Sequence, residues 1–294
     1  LGILIAAEGD HAAAVVFYRA AVKADLGLAL ARNNLGVSLT ALGELEAAEA
    51  AFRGALRANT AYFEARTNLA DLLQRRGRMN DAVAEARRAV AGAPAHMAAR
   101  LVLVNALAGI GDLDGAREAA LAAVAQAPGS AVAHNSLGLV LRQAGDINAA
   151  IAAFDAALAR DPDLVDAHAN RALALVARGD IAEARKGASE ALRKSGAAPV
   201  HRMNLAMLDL LGGDLKTGFA AYGSRFASGL PWVRARPFGQ PAWQGDRLDG
   251  GFLVWGEQGI GEEIMFASQL SWAAARAGAC VVAVEHRLVP LFAR

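Results

Sequence analysis

The sequence predicts an all-α superhelical solenoid of about seven helix-turn-helix units, followed by a partial α/β (βαβ) segment. Three observations lead there. Glycines stand at Gly9, Gly43, Gly77, Gly111, Gly145, Gly179 and Gly213, seven in succession at intervals of 34 residues. Two alanine columns keep the same register: Ala14, Ala48, Ala82, Ala116, Ala150 and Ala184, then Ala21, Ala55, Ala89, Ala123, Ala157 and Ala191. All four tryptophans (Trp232, Trp243, Trp255, Trp272) fall in the last quarter, where this rhythm stops. A fixed period of this length marks stacked supersecondary units, each too small to bury its own apolar face.

Composition agrees with small units packed closely. Of 294 residues 73 are alanine, and the remaining hydrophobic residues make up less than a third of the chain. An interior of such small side chains suits helices in close approach better than a β-sandwich. Thirty Lys+Arg against 29 Asp+Glu argue against a nucleic-acid partner held by bulk charge. No apolar run reaches the roughly 18 residues that span a bilayer, and no secretory signal opens the chain. The single cysteine, Cys280, excludes an internal disulfide and fits a reducing, cytoplasmic setting.

Each column has a physical reason. In the unit spanning 133–161, Leu137, Val140 and Leu141, then Ile147, Ile151, Phe154 and Leu158, recur at helical spacing. The glycine between the two helices supplies the left-handed residue a helix end favours. The acid that follows it, Asp10, Glu44, Asp112, Asp146, Asp180 or Asp214, is placed to cap the next helix and to complement its dipole. Alanine columns belong where helices come too near for a larger side chain. Aromatics at Tyr18, Phe52, Phe154 and Tyr222 fill gaps between units, with Ala86, Ala120 and Ala188 in the intervening ones. Pro94, Pro128 and Pro162 end the second helix.

This pattern resembles the tetratricopeptide repeat, whose signature is a small residue at its eighth position, then alanine, aromatic, alanine and proline at fixed offsets. The eighth position here is Gly2, Gly36, Ala70, Val104, Gly138, Ala172 and Ala206, and the resemblance covers residues 1–228. Repeats four, six and seven depart most: Val104 is bulky, Arg171 replaces the leucine of Leu35, Leu69 and Leu137, and Arg225 breaks the second alanine column. The resemblance implies that the first helix of every unit lines a concave surface.

On that surface, the residue two before the small position is Asn34, Asn68, Val102, Ser136, Asn170 and Asn204. An amide offers both donor and acceptor, so such a row can pair with the backbone of an extended peptide. It is similar to the asparagine ladder of the O-GlcNAc transferase superhelix, interrupted at Val102 and Ser136. The alternative is that asparagine is merely tolerated on a wetted helix face. His134 and His168, one repeat apart, lie about 10 Å from each other by helix-packing distances. That is too far to share a zinc ion with ligands at about 2.1 Å, so they read as ordinary helix-face residues and no metal is expected. Arg75, Arg76, Arg78, Arg87 and Arg88 could meet an acidic partner, but Asp71, Asp81 and Glu85 dilute them into a solvated face.

Residues 229–247, with Pro231, Pro237, Pro241, Trp232 and Trp243, read as a connector packed by aromatics. Residues 248–294 then read as strand (251–255), glycine turn, helix (262–276), strand (280–284) and the start of another helix (288–292), a βαβ unit with a parallel pair. A helix N-terminus at Gly256-Glu257-Gln258-Gly259-Ile260-Gly261 favours an anionic or strongly hydrogen-bonding ligand. The order GxxGxG is not the dinucleotide fingerprint, and the glycines alone equally fit tight packing.

The stretch from Trp255 through Glu262 and Phe266 to Ser268, with Val284-Glu285 and Arg287-Leu288-Val289-Pro290-Leu291-Phe292, resembles bacterial tetratricopeptide proteins that carry a C-terminal glycosyltransferase-like domain. That domain is similar to the heptosyltransferases, of two-lobed glycosyltransferase-B fold. The resemblance implies a catalytic base at Glu262, within the pair Gly261-Glu262 that stands where the family has Gly-Asp, and substrate contacts at Gln258, Gly259 and Gly261. Glutamate moves the carboxylate by one methylene, and Glu257 and Glu263 are neighbouring alternatives. The start at Leu1 and the end at Arg294 predict a fragment cut at both ends, itself inactive because the donor-binding lobe lies beyond it. No cofactor is expected. The partners expected are a protein or peptide in the groove and, for the larger protein, a nucleotide sugar, with neither nucleic acid nor a membrane span. The sequence thus predicts a scaffold that presents an acceptor to a glycosyltransferase-like domain, or else a pure interaction scaffold whose terminal domain is degenerate.

Overall fold

The computed structural model describes residues 1–25, 27–229, 243, 246–255, 269–284 and 286–292. Fourteen helices alternate through residues 2–222. The first helices of the seven units are α1 (Gly2–Ala7), α3 (Ala29–Ala41), α5 (Phe63–Arg75), α7 (Met97–Gly109), α9 (Ala131–Gln143), α11 (Val165–Arg178) and α13 (Pro199–Leu211). The second helices are α2 (His11–Ala24), α4 (Leu45–Ala58), α6 (Met79–Gly92), α8 (Leu113–Gln126), α10 (Ile147–Arg160), α12 (Ile181–Lys194) and α14 (Leu215–Tyr222). Every helix packs against its successor, which is the stacking that the 34-residue period demands.

The seven column glycines all lie at the bend inside a unit, with φ between 73° and 94°. No L side chain adopts that conformation cheaply, which is why the column holds glycine and nothing else. The acids that follow divide into two groups. Asp10, Asp112 and Asp214 accept from the backbone N–H three residues on and cap their helices as expected. Glu44, Asp146 and Asp180 occupy the same position without that bond and pair instead with Arg19, Arg117 and Arg178. A guanidinium within reach competes with the helix end for the same oxygens.

The first alanine column is fully buried from Ala14 to Ala184, and the second from Ala55 to Ala157, with Ala191 1% exposed. The aromatics lie against the small residue of their own unit. A Cβ on Gly36 would sit 2.6 Å from the Phe52 ring, and one on Gly138 2.5 Å from Phe154. Phe52 also belongs to the core cluster that holds Leu69, Leu72 and Leu73 of the next unit. In three units where the small position carries more bulk, the aromatic shrinks: Ala70 goes with Ala86, Val104 with Ala120 and Ala172 with Ala188, whereas the seventh unit keeps Tyr222 with Ala206. Volume is conserved across those three helix pairs, as close packing requires.

Beyond the solenoid, β1 (Leu248–Trp255) pairs in parallel with β2 (Ala277–Ala283), Val254 opposite Val282, with a register shift between Leu248 and Gly251. The helix Leu270–Ala274 ends two residues before the expected Arg276 and β2 begins at Ala277 rather than at 280, while Val289–Phe292 is helical, as expected. Trp243 stacks on Phe252 at 4.7 Å, and its Nε1–H donates to the Asp246 carbonyl at 2.7 Å. Trp255 meets Phe226, at the end of the solenoid, at 6.0 Å. The glycine turn with Gln258, Gly259, Gly261 and Glu262 lies outside the described residues, as does Trp232.

Candidate functional site

Curvature identifies the inner face. The pairs α3–α5, α5–α7, α7–α9 and α9–α11 approach one another closely, whereas second helices make no comparable pairing among the described residues. Helices that crowd on one side and spread on the other give a concave surface lined by the first helices. The amide of Gln74 donates to the Val102 carbonyl and that of Gln143 to the Ala108 carbonyl, both at 3.0 Å, and so tie neighbouring first helices together on this side.

Asn34, Asn68, Asn170 and Asn204 all occupy equivalent, half-buried positions on these helices. Two of them are held by asparagines that inspection of a single column misses. Asn68 Nδ2 donates to Asn33 Oδ1 at 2.9 Å, and Asn170 Nδ2 to Asn135 Oδ1 at 3.1 Å. Asn33 and Asn135 are 6% and 7% exposed, so each forms a buried support beneath the next unit's amide. Asn33 also donates to Asn34 Oδ1 at 3.3 Å. Burial pushes the Tyr18 hydroxyl above its ordinary range, and a hydrogen bond with Asn34 partly offsets that. In the two interrupted rungs Val102 is half-buried and Ser136 is 6% exposed. Asn204 has no such support, because Ala169 stands where Asn33 and Asn135 stand in their units.

The supports have a chemical consequence. A primary amide carries two N–H donors and an oxygen with two lone pairs. The bond to Asn33 or Asn135 consumes one N–H of Asn68 or Asn170 and orients the group. One donor and the oxygen remain, which is the complement of a peptide unit in extended main chain.

The other polar candidates turn inward. His134 and His168 bond through Nε2 to the carbonyls of Pro128 and Pro162 at 3.0 and 2.9 Å. Arg66 and Arg100 do the same to Thr60 and Pro94, so a 34-residue column of long donors clamps four successive inter-unit loops from six residues downstream. That column is present in the sequence, but only its two histidines stand out there, because arginine and histidine do not look alike as letters. Four of the five arginines of the cluster are likewise committed, Arg75 to Asp71, Arg76 to Glu46 and Glu49, Arg78 to Glu49 and Asp81, and Arg88 to Glu85, while Arg87 is exposed.

Two family models described as tetratricopeptide repeat match the chain, one at residues 28–61 and the other at 67–131 and 135–199, together more than half of it. The chain belongs to the tetratricopeptide repeat family. Among solved structures it is similar to TTC0263, a thermophilic tetratricopeptide protein of Thermus thermophilus, at 27% identity and TM-score 0.57, over 62% of this chain and 99% of that one. A tetratricopeptide protein from Parabacteroides merdae aligns at 15% identity and TM-score 0.67, over 78% of this chain and 91% of that one. PilF of Pseudomonas aeruginosa aligns at 21% identity and TM-score 0.56, over 67% and 90%. The latter two likenesses concern fold alone. No curated protein matches the chain. Tetratricopeptide arrays are scaffolds for protein and peptide binding, and among the described residues no helix is long and apolar enough to cross a membrane.

Proposed function

We propose that this tetratricopeptide array grips an extended segment of a partner protein along its concave face, through Asn34, Asn68, Asn170 and Asn204. The observation that carries the reading is the buried support of Asn33 under Asn68 and of Asn135 under Asn170. A merely tolerated surface amide has no need of an oriented one beneath it. Pre-orientation lowers the entropy lost when the amide pairs with a ligand. Replacement of all four asparagines by alanine is expected to cut capture of a protein partner by at least tenfold, since each lost amide pair contributes about 1 kcal/mol. The far-ultraviolet circular dichroism should stay helical. Capture equal to wild type would remove the groove from consideration.

Residues 1–228 in this reading form the solenoid, 229–247 a connector and 248–294 the opening βαβ unit of a glycosyltransferase-like domain to which the array presents an acceptor. The parallel pairing of β1 with β2 supports that reading, because parallel strands need a crossover, and Glu262 lies in the crossover. The base would take the proton of the acceptor hydroxyl as the sugar transfers from its nucleotide. The larger protein is expected to consume a nucleotide sugar and to lose that activity in Glu262→Gln. A wild type that consumes none would leave the pure interaction scaffold.

A further inference from the structure

We propose that the interval between α11 and α13 is the subsite that selects the partner, seating one neutral aliphatic side chain of an extended peptide while Asn204 pairs with the peptide main chain beside it. The inference deepens the groove reading above and rests on it. Four departures from repeat regularity meet at this junction. Close first-helix pairing runs from α3 to α11 and does not continue to α13. Ala169 replaces the supporting asparagine, which both opens space and leaves the Asn204 amide without a side-chain partner among the described residues.

The connector also takes another path. Asn59, Ala93, Ala127 and Asp161 leave their second helices with φ between −134° and −145° and ψ between 76° and 101°, but Ser195 turns instead, at φ −82° and ψ 8°. Gly196, in the column of Pro94, Pro128 and Pro162, and Ala197 then turn left-handed, both at φ 63°. Ala197 is the sole non-glycine residue with positive φ among the described residues, a strained state. Arg202, next in the column of loop clamps, makes no such bond among the described residues.

The fourth departure is a cavity of about 110 Å³ between α11, α12 and α13, lined by Ala169, Leu173, Val176, Met207 and Leu211 with His201 and Asn204. Where a regular array breaks its own rules several times in one place, function is the usual reason.

The lining chooses the occupant. It carries no aspartate, glutamate, lysine or arginine, so a charged side chain entering it would shed its water against a lining that is apolar but for His201 and Asn204. Apolar cavities of this order accept a small hydrocarbon group. Leu173 and Met207, each 45% exposed, and Leu211, 61% exposed, form a lip that such a group would remove from water. Methionine at the lip adapts its shape to the guest. The Asn204 amide, donor and acceptor together, matches the N–H and C=O of one extended residue and finds no counterpart on a bare hydrocarbon chain. A peptide therefore fits where a fatty acyl chain does not.

The test uses acetylated, amidated nonapeptide pools, degenerate in Gly, Ser, Asn and Thr at eight positions and fixed at the centre as Leu, Met, Asp or Lys. They are titrated into the chain labelled with ¹³C in methionine methyls and with ¹⁵N. The Leu and Met pools should shift the Met207 methyl and the Asn204 amide at concentrations at least tenfold lower than the Asp and Lys pools. Ala169→Leu, which fills the cavity, and Met207→Glu, at a position 45% exposed, should each abolish that preference at the Asn204 amide while the Asn34 and Asn68 amides still respond. Shifts confined to Asn34, Asn68 and Asn170, or equal responses to Leu and Lys, would overturn the subsite and leave the groove. Silence at all four asparagines would overturn both. Decanoate moving the Met207 methyl as strongly as the Leu pool, or Met207 responding only to concentration of the protein itself, would equally overturn a peptide subsite, in favour of an acyl chain or a second copy.

Discussion

Gly138→Val is expected to destabilise the solenoid by about 3 kcal/mol, the upper end for an overpacked core. A Cβ at that position would lie 2.5, 2.7 and 2.9 Å from Cε1, Cδ1 and Cζ of Phe154. Phe154 is fully buried, so its ring has no solvent to retreat into. Truncating the ring alone, Phe154→Ala, should cost about 3 to 5 kcal/mol through lost burial and a cavity. The fourth unit shows the remedy, because Val104 and Ala120 occupy the two equivalent places and are 1% and 0% exposed. The double variant Gly138→Val, Phe154→Ala rebuilds that arrangement. It should be more stable than the sum of its parts by about 2 kcal/mol, a coupling of the size seen for residues in contact. Urea unfolding of the four proteins reads it directly. Strict additivity would show that the two positions do not share one volume.

That pairing also shows what kind of information the sequence carries. The period placed every helix and every bend, because left-handed φ at seven positions is a demand on residue type and leaves a visible column. Gly2 with Tyr18, Gly36 with Phe52 and Gly138 with Phe154, against Val104 with Ala120, are legible for the same reason: the two partners repeat together. Contacts made at only some junctions leave no complete column. Asn33 under Asn68 joins two different columns one repeat apart, and only the coordinates reveal that the amides meet. The fate of the acids was half legible, since the capping position is local but the arginine that captures Asp146 lies on another helix, 29 residues away. At the α12–α13 junction the missing proline at Gly196 could be seen, while the left-handed Ala197 beside it could not. The residues nominated for catalysis lie outside the described residues, so their arrangement rests on resemblance.

Glu49→Gln is expected to lower stability by about 2 kcal/mol near neutral pH, and the deficit should vanish in acid. Glu49 is 8% exposed on α4 and receives Arg53 of its own helix at 2.9 Å, Arg76 beyond α5, and Arg78 before α6 at 2.9 Å. One carboxylate thereby fastens the second unit to the third. Losing a buried partner of this kind can cost about 3–5 kcal/mol. The smaller figure follows because Arg76 keeps Glu46 and Arg78 keeps Asp81. Burial works to raise the Glu49 carboxyl, and the hydrogen bond from Arg53 with the charges of Arg78 and Arg53 outweighs it, so the group is held below the ordinary glutamate range. A depressed folded-state pKa contributes its full stability above the unfolded value of about 4.3 and loses it as pH falls through the folded one. Wild type should therefore lose stability more steeply than Glu49→Gln below about pH 4, the two curves converging in acid. Urea midpoints taken from about pH 7 down to about pH 2.5 test this. Parallel curves throughout would mean that the three arginines are indifferent to the charge at Glu49, and that the second and third units are joined by apolar packing alone.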